Sequence, residues 1–274
     1  VSGKKFLRTI KIVAIPLLII TLFVIIYRNA NPWFDEAAGS FFAGINEFLI
    51  RIFGEISWTW VLTLIWGLIF LSWLLLGQAY PGIVNSEMKS GDIKLRKKSA
   101  KKFRGKNTAL KTEYNSALVL LVSMNIIILL VNFLDIKNVW FGFEWEGDYL
   151  KQFVHEGTWL LIISILISIS IILFYFRRNL NFLKNNKSLK ILAYIWMSQN
   201  FILALSVAFR NIHYINYFNL AYKRIAVFFF LLAVLVGIIT VIIKIRKPAT
   251  AFFLLRYNAL SIYLILLLMS FINW

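Results

Sequence analysis

Residues 225–243 read IAVFFFLLAVLVGIITVII, nineteen positions without a charged side chain. As a helix this run rises about 28 Å at 1.5 Å per residue, the depth of a bilayer's hydrocarbon core. The same reading works outward in both directions. Further apolar runs fall at about 10–27, 58–77, 115–134, 157–176, 190–209 and 251–272. Backbone amides in lipid need partners within their own segment, and none of the runs alternates as a lipid-facing barrel strand does. The expected fold class is therefore all-α, a polytopic membrane bundle of about seven transmembrane helices.

Composition agrees. Of the 274 residues 60% are hydrophobic and only 15% charged, against roughly 25% in a soluble domain. Mean hydropathy is +0.76. These values exclude a disordered chain and an ordinary soluble enzyme. There is no cysteine, so disulfides, thiolate catalysis and Cys-ligated metals are excluded. Two histidines, His155 and His213, do not make a three-His zinc centre, and no HExxH motif is present.

The charge imbalance, 30 Lys+Arg against 12 Asp+Glu, orients the chain. With the N-terminus inside, 23 basic residues fall in inner segments and seven outside. That bias places the N-terminus in the cytoplasm. Lys4, Lys5 and Arg8 precede the first run as in a signal peptide, but no small-residue cleavage site follows. The first run is expected to stay as an uncleaved helix, kinked at Pro16. Val1 opens the chain and Trp274 ends it at the edge of an apolar run, which predicts a piece of a longer protein.

Three regions follow. Residues 1–77 form a two-span hairpin whose outer connector carries FFAGINEFLIRIFGEI, 41–56, with apolar residues at helical spacing and Glu47, Arg51 and Glu55 four apart on the other face. That helix lies in the interface or packs on the outer end of the bundle. Residues 78–112 form a basic cytoplasmic loop, and 113–274 a five-span region.

Within the basic loop, Lys94, Arg96, Lys97, Lys98, Lys101, Lys102 and Arg104 hold the segment inside as a topogenic signal, or contact anionic lipid head groups. Phe103 is the only aromatic among them, so nucleic acid is not an expected partner. The lipid bilayer is the expected environment, the sequence names no protein partner, and no motif calls for a cofactor or a metal.

On the outer side, KNVWFGFEWEGDYLKQFVHE, 137–156, is rich in aromatics suited to an interfacial belt. Its Glu144, Glu146 and Asp148 alternate without completing a calcium loop. His155 and Glu156 follow at the mouth of the fourth span, and neighbours on a helix point about 100° apart. In FRNIHYINYFNLAYKR, 209–224, Arg210, His213, Tyr214 and Tyr217 share one helical face, with Arg224 two heptads beyond Arg210. The candidate cluster is therefore His155, Glu156, Arg210, His213, Tyr214, Tyr217 and Arg224. It receives an anion through guanidinium forks, or it pairs Arg210 with Glu156 or Asp148. Asn125 and Asn132 in the third span, and Ser198, Gln199 and Asn200 in the fifth, are polar groups that glue helices together. No P-loop, GxSxG or GxGxxG is found, and no inverted repeat with broken helices.

From about 113 to 247 the chain resembles the bacterial polytopic membrane proteins grouped as domains of unknown function 4173 and 4153. The resemblance is carried by Glu113 with the following ALVLLVSMNIIILLVNF, by DYLKQFVHEGTWLLI, and by SVAFRNIHYINYFNLAYKR. That family pattern falls here on Glu113, Tyr149, His155, Glu156, Gly157, Arg210, Tyr214, Tyr217, Leu220 and Arg224, with Asn219 in place of its usual Gly. Asn still suits a turn or helix end. The resemblance implies a multi-pass protein of the bacterial inner membrane and supplies no activity. Three functions stay open: a non-enzymatic sensing, assembly or envelope component; a carrier for a small anionic or lipid-like solute; a membrane enzyme on lipid or envelope precursors.

Overall fold

The computed structural model describes residues 2–39, 85, 93, 106–142, 147–176, 179–183 and 186–271. The chain forms two compact units, one of Val1–Asp35 and Asp92–Trp274, the other Glu36–Gly91. In the second unit only 36–39 and 85 are described, so the expected span at 58–77 and the helix at 41–56 lie outside the described residues. So do Lys94, Arg96, Lys97, Lys98, Lys101, Lys102 and Arg104 of the basic loop.

The first unit is helical throughout its long elements. Its helices are α1 (Ser2–Ala30), α2 (Lys106–Asp135), α3 (Gly147–Tyr175), α4 (Lys187–Phe218), α5 (Tyr222–Arg246) and α6 (Ala251–Ser270). All six carry a stretch long and apolar enough to cross a membrane. The protein is thus a polytopic membrane helix bundle. α1 runs on through Pro16 as one helix. A π-helical turn, Ile136–Phe141, prolongs α2, and a 3-10 turn, Asn179–Phe182, joins α3 towards α4.

α4 is the hub, packing against α2, α3 and α5, while α1 packs on α2 and α3. Half of α4's apolar window is buried by protein, against 6% of that in α6, which packs chiefly on α5. The core holds Phe23, Tyr27, Leu120, Met124, Ile128, Ile165, Trp196 and Leu203. Phe23 of α1 tilts against Trp196 of α4 at 6.2 Å between ring centroids. Exposed Ile126, Leu129, Phe133 and Leu264 lie on outward faces, as lipid requires.

α2 and α4 run parallel, locked by a seam of hydrogen bonds with a seven-residue rhythm. Asn125 Nδ2 donates to Leu192 O at 3.1 Å, and Asn132 Nδ2 donates to Gln199 O at 3.0 Å, both across a sequence offset of 67. Gln199 Nε2 donates back to Asn125 Oδ1 at 2.8 Å, one heptad on. A strict heptad between parallel helices is the geometry of a left-handed pair. Of the polar residues flagged in these two spans, Asn125, Asn132 and Gln199 tie them, while Asn200 bonds to Trp196 O within α4 and Ser198 is exposed.

Candidate functional site

The seam leads to one end of the bundle, where the ends of α1, α2 and α4 meet the first turns of α3. Asp135 is the last residue of α2. Its Oδ1 accepts from Arg210 Nη2 of α4 at 2.6 Å and from Asn31 Nδ2 at 2.7 Å. Arg210 Nη1 donates to Ala30 O, the last carbonyl of α1, at 2.8 Å. Both charged side chains are wholly buried. One guanidinium fork therefore neutralises a carboxylate and caps a helix C-terminus together, which a point-charge lysine cannot do.

Asn31 supports the node from below. It follows α1, its Oδ1 accepts from Phe34 N at 3.0 Å, and Pro32 comes next. That is an N-cap followed by Pro at the first helical position, so the chain turns a corner at Asn31. Gly157 completes the node from α3. A Cβ there would sit 2.6 Å from Ala30 O and 3.0 Å from Arg210 Nη1. Only glycine lets α1 and the guanidinium approach so closely.

The π turn brings a second set of contacts to α4. Trp140 Nε1 donates to Ser206 Oγ at 3.0 Å, and the Trp140 ring stacks on Phe209 at 4.6 Å. His213 Nε2 lies 2.8 Å from Val139 O. A carbonyl only accepts, so Nε2 carries the proton there. Single π turns inside helices often re-aim side chains at functional sites.

The far side of α4 faces α5. Helix α4 ends at Phe218, so the expected single face from Arg210 to Arg224 is broken. Asn219 has φ 62 and ψ 175, the only positive φ on a non-glycine residue among those described. Arg224 then belongs to α5, and folds back over the break. Its guanidinium donates to Asn219 O and lies 4.3 Å over the Tyr214 ring. Asn211 Nδ2 donates to Arg224 O at 2.8 Å. The candidate cluster therefore divides: Arg210 and His213 turn to α2 and its π turn, Tyr214 joins Arg224, and Tyr217 is exposed. Glu156 is exposed on α3 beside Gly157, and the side chain of His155 lies outside the described residues, as do Glu144 and Glu146.

Between α3, α4 and α5, at this same end, opens a cavity of about 780 Å³. Trp159, Ile162, Val227 and Phe230 give its apolar wall, and Thr158, Lys223 and Arg224 its polar edge.

The family model of Domain of unknown function (DUF4153) matches residues 2–274. The chain belongs to the DUF4153 family. The match takes in α1 and the residues up to 112 as well as the half of the chain that carries the resemblance. No curated protein and no solved structure matches it. In this DUF4153 bundle Asp135 is the member of the node that spacing arguments pass over. Its signal was present: Asp135 is the only acid between 115 and 143, and Arg210 the only Lys or Arg between 191 and 222. A lone charge at the end of each of two neighbouring apolar runs is a pairing signal.

Proposed function

We propose that this multi-pass membrane protein is a non-enzymatic sensing or assembly component of a bacterial inner membrane, and that it engages an amphiphilic molecule in the cavity between α3, α4 and α5. The cavity is the observation that carries the reading. Beside it Asn125, Asn132 and Asp135 of α2 are tied to Gln199 and Arg210 of α4 by hydrogen bonds, which makes a stiff frame. The lysine and arginine bias supports placing this end of the bundle outside and the connector 78–112 inside, against anionic lipid head groups.

The test uses the full chain extracted with its native lipid. Ala226 lines the cavity, and Ala226→Trp fills it. Mass spectrometry should find an amphiphile retained by the unaltered protein and lost from the variant. Equal retention by both overturns the cavity as the site. The carrier reading is favoured by Lys223 and Arg224 at the mouth, and it wins if vesicles containing the protein move the retained amphiphile from one leaflet or lumen to the other.

A further inference from the structure

We infer that the cavity takes an anionic phospholipid, with the phosphate at the first turn of α5 and an acyl chain along Ile162, Val227 and Phe230. The inference rests on the cavity being a binding site, and adds the chemistry of its ligand. Four features at the first turn of α5 and facing it on α3 point to an anion. First, α5 begins at the cavity without a side-chain cap: its N-cap is Ala221, which offers no acceptor, and no acidic residue stands in the first turn. The amide ends of a helix there carry partial positive charge. Second, Lys223 and Arg224 add two cations to that positive end, an arrangement the helix dipole disfavours until an anion joins it. Third, the Arg224 guanidinium lies 4.3 Å over the Tyr214 ring and 5.8 Å from the centre of Phe218, so its place is set before any ligand arrives. Fourth, Thr158 lines the same cavity from α3 and is 7% exposed, and its hydroxyl has no hydrogen-bond partner in the protein. The hydroxyl is thus a buried group at the cavity wall with a hydrogen bond still to give.

The wall supplies the rest of the specificity. Trp159 is half exposed and Phe230 41% exposed, and both line the slot. An indole such as that of Trp159 suits the boundary between head group and acyl chain, and the Phe230 ring suits the acyl chain. A free phosphate satisfies the cations and leaves the slot empty; a neutral amphiphile fills the slot and leaves the cations unanswered. An anionic phospholipid does both.

The experiment titrates the detergent-purified full chain with four probes: dioctanoyl phosphatidylglycerol, dioctanoyl phosphatidylcholine, octanoate and inorganic phosphate. The readout is the shift in thermal midpoint. Phosphatidylglycerol should bind about tenfold more tightly than phosphatidylcholine, the worth of one charge-assisted hydrogen bond, and more tightly than octanoate or phosphate. Lys223→Gln should narrow that preference several-fold. Thr158→Val should weaken phosphatidylglycerol several-fold and leave the unliganded midpoint unchanged or higher, because it removes a buried hydroxyl that has no protein partner. Equal binding of the two phospholipids, tighter binding of octanoate or of phosphate alone, or a preference untouched by both substitutions overturns the head-group assignment while the cavity stands. Binding that survives Ala226→Trp removes the cavity itself, and the inference with it.

Discussion

Asp135 and Arg210 are 75 positions apart in the chain and 2.6 Å apart in space, and neither side chain reaches solvent. They close the α2–α4 seam at the end where α1 stops and α3 starts. An ion pair at that depth holds its place only when both charges are also hydrogen-bonded, as here by Asn31 and by Ala30 O. The pair therefore fixes α4, one wall of the cavity, against α1 and α2, with Gly157 of α3 packed on the guanidinium.

Breaking the pair from one side should cost more than removing it. Asp135→Ala or Arg210→Ala leaves an uncompensated buried charge, a loss of about 3–5 kcal/mol. The double variant should lose less than the two singles together. Unfolding in mixed detergent, read as a double-mutant cycle, measures the coupling. Additive losses would mean that the two charges do not depend on each other.

Gly157→Ala should be damaging although it adds one methyl group. Its Cβ would press on the Ala30 carbonyl and on Arg210 Nη1, and α1 would have to retreat from α3. The expected cost is about 1–3 kcal/mol. Gly237→Ala is the control, since a Cβ there meets only Asn258 Oδ1, at 3.7 Å. Equal stability of the two variants would contradict the close approach.

The seam makes a smaller, graded prediction. Asn132→Leu removes one bond to Gln199 O, and interhelical hydrogen bonds in membranes are worth about 0.6 kcal/mol each, rising to about 2. Gln199→Leu should cost more, because it leaves Asn125 Oδ1 without the donor it has now. Reversible unfolding of both variants ranks them, and the opposite order would count against the seam as drawn.

The same residues show what a sequence yields and what it withholds. Uncharged runs marked out the six spans found among the described residues, because lipid forbids anything but long apolar helices. Asn125, Asn132 and Gln199 stood out as polar groups at depth, though which carbonyl each meets needed the register of two helices. The face of Arg210, His213, Tyr214 and Tyr217 was legible as a face, but not which neighbour each residue meets. His213 and Tyr214 lie 100° apart on either side of Arg210, so a helix wedged between α2 and α5 sends one to each neighbour. Asp135 is easily passed over because it follows the last apolar residue of its run, and the π turn that continues the helix beyond it leaves no mark in hydropathy. The break at 219 was half visible, through the glycine that the resembling family places there.

That break gives the last prediction. With φ 62 and ψ 175, Asn219 occupies a backbone region that belongs almost wholly to glycine, at a cost of order 1–3 kcal/mol. The strain persists because Arg224 grips the Asn219 carbonyl while stacking on Tyr214, and Asn211 holds the Arg224 carbonyl in return. Asn219→Gly should thus raise stability by about 1 kcal/mol, the relief of strain exceeding the extra freedom of the unfolded chain. Asn219→Ala should lower it, since alanine tolerates that region less well than asparagine. Arg224→Gln should remove part of the advantage of glycine, because the clamp and the strained turn then no longer support each other. Thermal midpoints of the three variants and of the Gly–Gln double variant decide it: a neutral Asn219→Gly would mean that the corner between α4 and α5 carries no strain.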